Sequence, residues 1–248
     1  MMKLTFLGTG TSTGVPYIGC DCETCLSKDP RDKRLRSSSL LETNGKNILL
    51  DCGPDFRQQA LSANLKKIDA VLLTHKHVDH TLGLDDLRPY GRVRIYANQE
   101  TNDAIHQMFS YCFNNDYKGI PQLETHVIKN EPFMIDDIRV TPVFIWHYKL
   151  PTFGYRINNF AYITDIKTID KEEAEKLKGL DVLVMDALRW EDHFSHMNVE
   201  EALALVREVQ PKETYFIHMS HTIGLHEVAQ KKLPEHVHFA YDGLTIEI

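Results

Sequence analysis

The sequence predicts an α/β fold in which helices and mixed β-sheets pack as layers. Three observations carry that expectation. Short apolar runs of strand length recur along the 248 residues. Helical patterns fall between several of them, without the strict alternation of a doubly wound sheet. And a His or Asp repeatedly follows the last apolar residue of a run, as happens where loops at one sheet edge converge on a site.

Taken in order, Leu4 to Leu7 reads as the first strand, and the apolar stretch that opens at Met1-Met2-Lys3 is too short for a signal peptide. Asn47 to Leu50 and Ala70 to Leu73 are the next strands, with an amphipathic helix at Phe56 to Ala63 between them. Arg94 to Tyr96 is a strand and Asn102 to Tyr111 a helix. Strands follow at Ile138 to Ile145, Phe160 to Ile163 and Val182 to Met185, with a helix at Lys171 to Leu177. The Val199 to Val209 helix starts at a capping-box pattern, Asn198 with Glu201 three residues on. Thr214 to Ile217 and Val237 to Phe239 complete the strands.

Composition fits one globular domain over residues 1–248: 42% apolar, 25% charged, formal net charge -7. No apolar run approaches the roughly 18 residues of a membrane span, and a cytoplasmic location is the default. An acidic chain does not favour a nucleic-acid partner. A homodimer is compatible with the sequence.

The densest chemistry lies in His75-Lys76-His77-Val78-Asp79-His80, directly after the Ala70 to Leu73 strand. Three imidazoles and a carboxylate at this spacing can turn donor atoms toward one point, dense enough for a divalent metal, and two are expected. His147, Asp165, Asp186 and His218 each follow a later strand. Alone, each would read as a turn residue; together with the histidine cluster they read as one site.

Five cysteines are present, three of them in Cys20-Asp21-Cys22-Glu23-Thr24-Cys25. An odd, clustered set is not a disulfide framework and suits a metal in a reducing compartment. The Gly8 to Gly14 segment lacks the Gly-Lys-Ser/Thr ending of a nucleotide-binding loop. Lys28, Arg31, Lys33, Arg34 and Arg36 form a basic run that reads as a solvated loop.

These residues resemble the metallo-β-lactamase superfamily, whose His-x-His-x-Asp-His signature is followed by a distant His, a bridging Asp and a last His. The resemblance implies a four-layer αββα sandwich with two mixed sheets and a site at one sheet edge. It implies one metal on His75, His77 and His147, a second on Asp79, His80 and His218, and Asp165 bridging them. Zinc, manganese or iron suits such donors. A water between the two metals would lose a proton and attack, with Asp79 orienting it. Asp51 and Asp186 would orient ligand histidines.

Four features resemble the PhnP-type phosphodiesterases more closely. They are Gly14-Val15-Pro16 leading to the cysteine triplet, Lys149-Leu150-Pro151-Thr152-Phe153-Gly154-Tyr155, His196 near Asn198, and His218-Met219-Ser220-His221. In that group the three cysteines and the second histidine of the pair hold a structural zinc, which implies Cys20, Cys22, Cys25 and His221 here, with Cys52 and Cys112 as rivals for the fourth place. His196 would contact the phosphate or protonate the leaving oxygen, with His193 as the competing residue. The expected activity is hydrolysis of a small phosphodiester or cyclic phosphate. The alternatives are a tRNA 3′-processing endonuclease, a lactone or thioester hydrolase, and a non-catalytic metal-binding protein.

Overall fold

The computed structural model describes residues 2–113 and 119–248; Met1 of the opening run lies outside them. The strands form two seven-stranded sheets. The first has the order β14-β1-β2-β3-β4-β5-β6. Its members are β1 (Met2–Gly8), β2 (Ser38–Thr43), β3 (Lys46–Leu50), β4 (Ala70–Leu72), β5 (Arg92–Ala97), β6 (Gln122–Val127) and β14 (Thr245–Glu247). The second has the order β13-β12-β11-β10-β9-β8-β7. It contains β7 (Phe133–Ile135), β8 (Ile138–His147), β9 (Leu150–Ile157), β10 (Phe160–Ile163), β11 (Val182–Asp186), β12 (Glu213–Ile217) and β13 (Val237–Phe239). Both sheets are mixed: β1 to β3 and β7 to β10 pair antiparallel, while β3 to β6 and β10 to β13 pair parallel.

Side-chain alternation along the strands makes the layers. Phe6, Ile48, Leu50 and Leu72 face Tyr155, Phe160, Tyr162 and Val184 across the space between the sheets. The neighbours Leu7, Leu49, Val71 and Leu73 turn the other way and pack with Phe56 and Ala60 of helix α2 (Phe56–Ser62). On the far side, Ala161, Ile163, Leu183 and Met185 pack with Ala202, Leu205 and Val206 of α6 (Val199–Val209). The other helices are α1 (Glu23–Leu26), α3 (Val78–Thr81), α4 (Gln99–Met108), α5 (Lys171–Glu175) and α7 (His226–Gln230), and the result is the expected αββα sandwich. The Asn198 capping box is present: Asn198 accepts from Glu201 N–H at 2.8 Å, and Glu201 accepts from Asn198 N–H at 2.9 Å.

Five strands lie beyond those read from the sequence: β2, β6, β7, β9 and β14. The basic run also departs from the solvated loop expected of it. Arg34 is buried and donates to Thr9 Oγ1 at 2.9 Å and to the Ala240 carbonyl at 2.6 Å. Arg36 pairs with Asp55 at 2.8 Å, and Arg31 with Asp29 at 2.7 Å. Local charge density gave no sign of the Arg34 and Arg36 partners, because Thr9, Ala240 and Asp55 come from other segments. Among the described residues no helix is long and apolar enough to cross a membrane.

Candidate metal centre

Strand ends of both sheets meet at one edge of the sandwich. The first sheet contributes the segment after β4, where the short helix α3 (Val78–Thr81) follows His77. Two glycines bring it close. A Cβ on Gly53 would lie 2.0 Å from the Asp79 carbonyl oxygen, and one on Gly83 would lie 2.1 Å from the Gly53 carbonyl oxygen. The Cys52 N–H donates to the His80 carbonyl at 2.8 Å and the Gly83 N–H to the Cys52 carbonyl at 2.9 Å. Asp79 and His80 are thereby held against the end of β3. The second sheet contributes His147 at the end of β8, Asp165 after β10, Asp186 at the end of β11 and His218 after β12. Asp51, Asp165 and His218 all have φ near +60° (59°, 60° and 58°). Non-glycine residues rarely adopt that conformation, and its recurrence at three converging strand ends is the strain expected of a functional site.

The seven residues expected to meet do meet. His75, His77 and His147 form one group whose donor atoms lie within 4.8 Å of one another, and Asp79, His80 and His218 form another. Asp165 stands between them. Its Oδ2 is 3.2 Å from His80 Nε2 and 3.4 Å from His218 Nε2; its Oδ1 is 3.9 Å from both His75 Nε2 and His147 Nε2. One carboxylate thus addresses two separate histidine groups with its two oxygens. Such nitrogens need partners when buried. His75 Nε2, His80 Nε2 and both ring nitrogens of His218 are buried without a hydrogen bond. Orphaned acceptors around a central carboxylate are the arrangement divalent cations satisfy, so the residues present fit the expected metals.

The carboxylates call for positive charge at the His80 side of the site, and His75, His77 and His147 are left neutral. Burial pushes the His75 imidazole well below its ordinary range, and it lowers His77 and His147 too, so these three are neutral and free to ligate. Burial also disfavours charge on His80, but Asp165, Asp79 and Asp51 outweigh it and hold His80 well up. Burial works against ionised Asp165 as well; His218 and His80 overcome it and hold this carboxyl well below the usual range.

The supporting contacts fall as expected for Asp51 and differently for Asp186. Asp51 accepts from His80 Nδ1 at 2.8 Å and from the Thr74 N–H at 2.9 Å. Thr74 Oγ1 in turn lies 3.0 Å from His75 Nδ1. Asp186 instead orients His196: its Oδ2 is 3.1 Å from His196 Nδ1, while Oδ1 accepts from the Ile166 N–H at 2.9 Å. His196 Nε2 then points into the site, 3.8 Å from Asp165 Oδ1. Desolvation opposes charge on His196, but the Asp186 hydrogen bond and Asp165 outweigh it and raise its pKa. His193 also lines the cavity; its Nδ1 meets only Ser195, with the Ser195 N–H at 3.4 Å and Oγ at 3.2 Å. The Ser195 carbonyl holds His147 Nδ1 at 2.8 Å. Thr74 and Ser195 were not singled out in the sequence, although Thr74 is the residue between the strand and His75.

A cavity of about 590 Å³ opens over these groups, lined by His77, Asp79, His147, Asp165, His196 and His218. A larger cavity lies elsewhere, along β1, β2 and α2, and contains none of the clustered histidines.

The cysteine triplet forms a second cluster. Cys20, Cys22, Cys25 and His221 bring their donor atoms within 4.8 Å of one another, with His221 Nδ1 3.4 Å from both Cys20 Sγ and Cys22 Sγ. The rivals Cys52 and Cys112 are buried in the core on the outer face of the first sheet. The His221 hydrogen bond draws the Cys22 pKa down to about 6, whereas burial pushes Cys25 up to about 11. Three thiols and an imidazole fit a closed tetrahedral zinc site.

A sandwich with this edge site is the architecture of a metal-dependent hydrolase, and the family comparison agrees. Residues 46–219 match the β-lactamase superfamily domain, and the chain belongs to that superfamily. Among solved structures, a diphosphatase from the PhnP family superposes with a TM-score of 0.94 at 40% identity, covering 100% of this chain and 98% of that one. Zn(2+)-bound PqqB from Methylobacterium extorquens shares the fold with a TM-score of 0.84 at 22% identity, covering 99% of this chain and 100% of that one. The octanoyltransferase of Porphyromonas gingivalis is 45% identical over 250 residues, covering 98% of this chain and 51% of that protein. This chain therefore spans about half the length of that relative.

Proposed function

We propose that the chain hydrolyses a small phosphodiester, cyclic phosphate or diphosphate with two divalent cations in the edge site. His75, His77 and His147 would hold one and Asp79, His80 and His218 the other, with Asp165 shared. Zinc, manganese and iron all suit this donor set. The observation that carries the reading is Asp165, whose two oxygens face the two groups separately at 3.2–3.9 Å. When bound, the cations would supply Lewis acidity at the phosphate oxygens and acidify an attacking water.

The chain's own residues supply the rest. Asp79 lies 3.2 Å from His80 Nε2 and lines the cavity, where its free oxygen can orient a nucleophile. With Nδ1 committed to Asp186, His196 offers Nε2 to the leaving oxygen, and its raised pKa favours a proton there to give. A second cavity, lined by Val78, Ala104, Gln107 and Met108, shares His77 and Asp79 with the first. Space on both sides of the site suits a phosphorus carrying two substituents. The relative named a diphosphatase belongs to the same chemical class, a phosphorus–oxygen bond broken by water. Cys20, Cys22, Cys25 and His221 would hold a structural zinc that ties the loop after β1 to the segment after β12.

The test is turnover of metal-reconstituted protein against cyclic phosphates, linear diesters, diphosphates, lactones and pre-tRNA. The reading expects hydrolysis of phosphate substrates of small size. In His196→Ala, kcat should fall by roughly 10²–10⁴-fold for poor leaving groups and much less for a nitrophenyl diester, whose leaving oxygen needs no proton. Lactone hydrolysis alone would overturn the proposal.

A further inference from the structure

We infer that the mouth of the metal site is a cradle for a nucleobase, built by Tyr148, Phe194 and Lys149, so that the substrate phosphate belongs to a small nucleotide. The inference rests on the phosphate-hydrolysing reading and narrows its substrate class.

Tyr148 and Phe194 come from separate segments, the β8–β9 turn and the loop after β11, and both line the cavity above His147 and His196. They are 55% and 69% exposed, a large apolar area left in water at a point where the core gains nothing from it. Their rings meet edge to face, with centroids 5.6 Å apart and planes at 87°. His193 packs against the Phe194 ring, with centroids 4.6 Å apart and planes at 33°, and the exposed remainder of Phe194 stands perpendicular to Tyr148, so that one ring can meet the face of a planar group and the other its edge. Of the other exposed aromatics among the described residues, Tyr17 stacks on His221 and Tyr111 bonds Asp85, which leaves this pair as the one gathered at the site.

The backbone gives a second, independent sign. His147 pairs with Leu150, so Tyr148 and Lys149 form a two-residue hairpin turn. Tyr148 sits there at φ 57°. Glycine is the residue that such a turn favours, and a bulky side chain in this region is an outlier. A strained, exposed tyrosine next to a candidate metal ligand is a side chain held for something other than the fold. Lys149 Nζ lies 5.2 Å from the Tyr148 ring centroid and also lines the cavity. Aromatic faces with one cation take a base and a single phosphate group. They do not track a polynucleotide backbone, which calls for a row of cations, and this chain carries a net charge of -7.

The experiment measures equilibrium binding of adenosine 5′-monophosphate and of ribose 5-phosphate to the metal-loaded protein. Stacking on an aromatic side chain contributes about 5–150-fold per base, so the nucleotide should bind tighter by a factor in that range. The Tyr148→Ala, Phe194→Ala double variant should bring the two affinities together, and Tyr148→Trp should keep the preference. Melting temperature and metal content establish that the variants are folded and loaded. Equal affinity for both phosphates in the wild type, or a preference surviving in the double variant, overturns the cradle and leaves the hydrolase reading standing. Binding of an oligoribonucleotide without binding of the mononucleotide overturns it in favour of RNA. Failure of either phosphate to bind overturns the phosphate site itself, and the cradle with it.

Discussion

Asp51→Asn tests how the fold prepares His80. Asp51 is fully buried and lies 2.8 Å from His80 Nδ1, while it accepts from the Thr74 N–H at 2.9 Å and from Thr74 Oγ1 at 3.0 Å. A carboxylate only accepts, so when a cation takes the place of the His80 Nε2 proton, the remaining proton sits on Nδ1 and the Nε2 lone pair faces Asp79 and Asp165, 3.2 Å from each. An asparagine can keep Thr74 with its oxygen, but its NH₂ then meets Nδ1. His80 must shift its proton to Nε2, where it opposes a cation. Turned over, the amide restores the His80 tautomer and sets NH₂ against the Thr74 N–H, leaving buried donors unpaired. Either route costs about 1–3 kcal/mol. Metal affinity should therefore fall about 10–100-fold. Titration against a competing chelator reads the affinity, and elemental analysis after dialysis reads the stoichiometry. The loss should fall on the Asp79, His80, His218 group, with metal at the cysteine cluster retained. Unchanged affinity would refute the tautomer argument. Equal weakening of every site would show Asp51 to be general structural support.

Cys22→Ser should remove one equivalent of zinc and lower the melting temperature, while correctly folded enzyme keeps its active-site metals and turnover; calorimetry with elemental analysis checks this. Gly53→Ala puts a methyl 2.0 Å from the Asp79 carbonyl, so stability should drop by about 1–3 kcal/mol and turnover with it, as read by urea unfolding and kinetics. His226 Nδ1 lies 3.3 Å from Arg34 Nη2, and burial, then Arg34 and Arg31, hold its pKa at about 4 against 6.5 in the unfolded chain. The unfolded chain binds more protons between those values, so stability should fall as pH drops from about 6.5 toward 4. His226→Gln, which stays neutral, should flatten that slope in melting temperature against pH.

The histidine cluster and the strand-end carboxylates were legible because their signal is local. Six consecutive residues hold four of the donors, and each later donor follows a strand whose apolar run is plain. Phe160–Ile163, Val237–Phe239 and Val199–Val209 came out with the boundaries read from the pattern. β9 was hidden because Pro151 and Gly154 interrupt it; Pro151 is tolerated near the strand start, opposite Trp146, and Gly154 is needed where a Cβ would crowd Tyr162 O and Ile163 Cγ1 at 2.9 Å. β2 begins with Ser38 and Ser39, polar residues buried in the sheet, with Ser38 Oγ bonded to the Asp51 carbonyl at 2.8 Å. What pairing alone decides was out of reach: that Asp186 serves His196, that Thr74 links Asp51 to His75, and that Arg34 is anchored by Thr9 and Ala240. These contacts depend on how the strand ends and loops are brought together in space, and no local pattern records them.

The central claim is a two-cation site bridged by Asp165. Anomalous diffraction from crystals of fully loaded protein, collected on both sides of the metal absorption edge, tests it most directly. The account predicts two peaks in the edge cavity, one on the His75, His77, His147 side of Asp165 and one on the Asp79, His80, His218 side, and a third peak among Cys20, Cys22, Cys25 and His221. A single peak in the edge cavity at full occupancy, with Asp165 bound through one oxygen only, would contradict it.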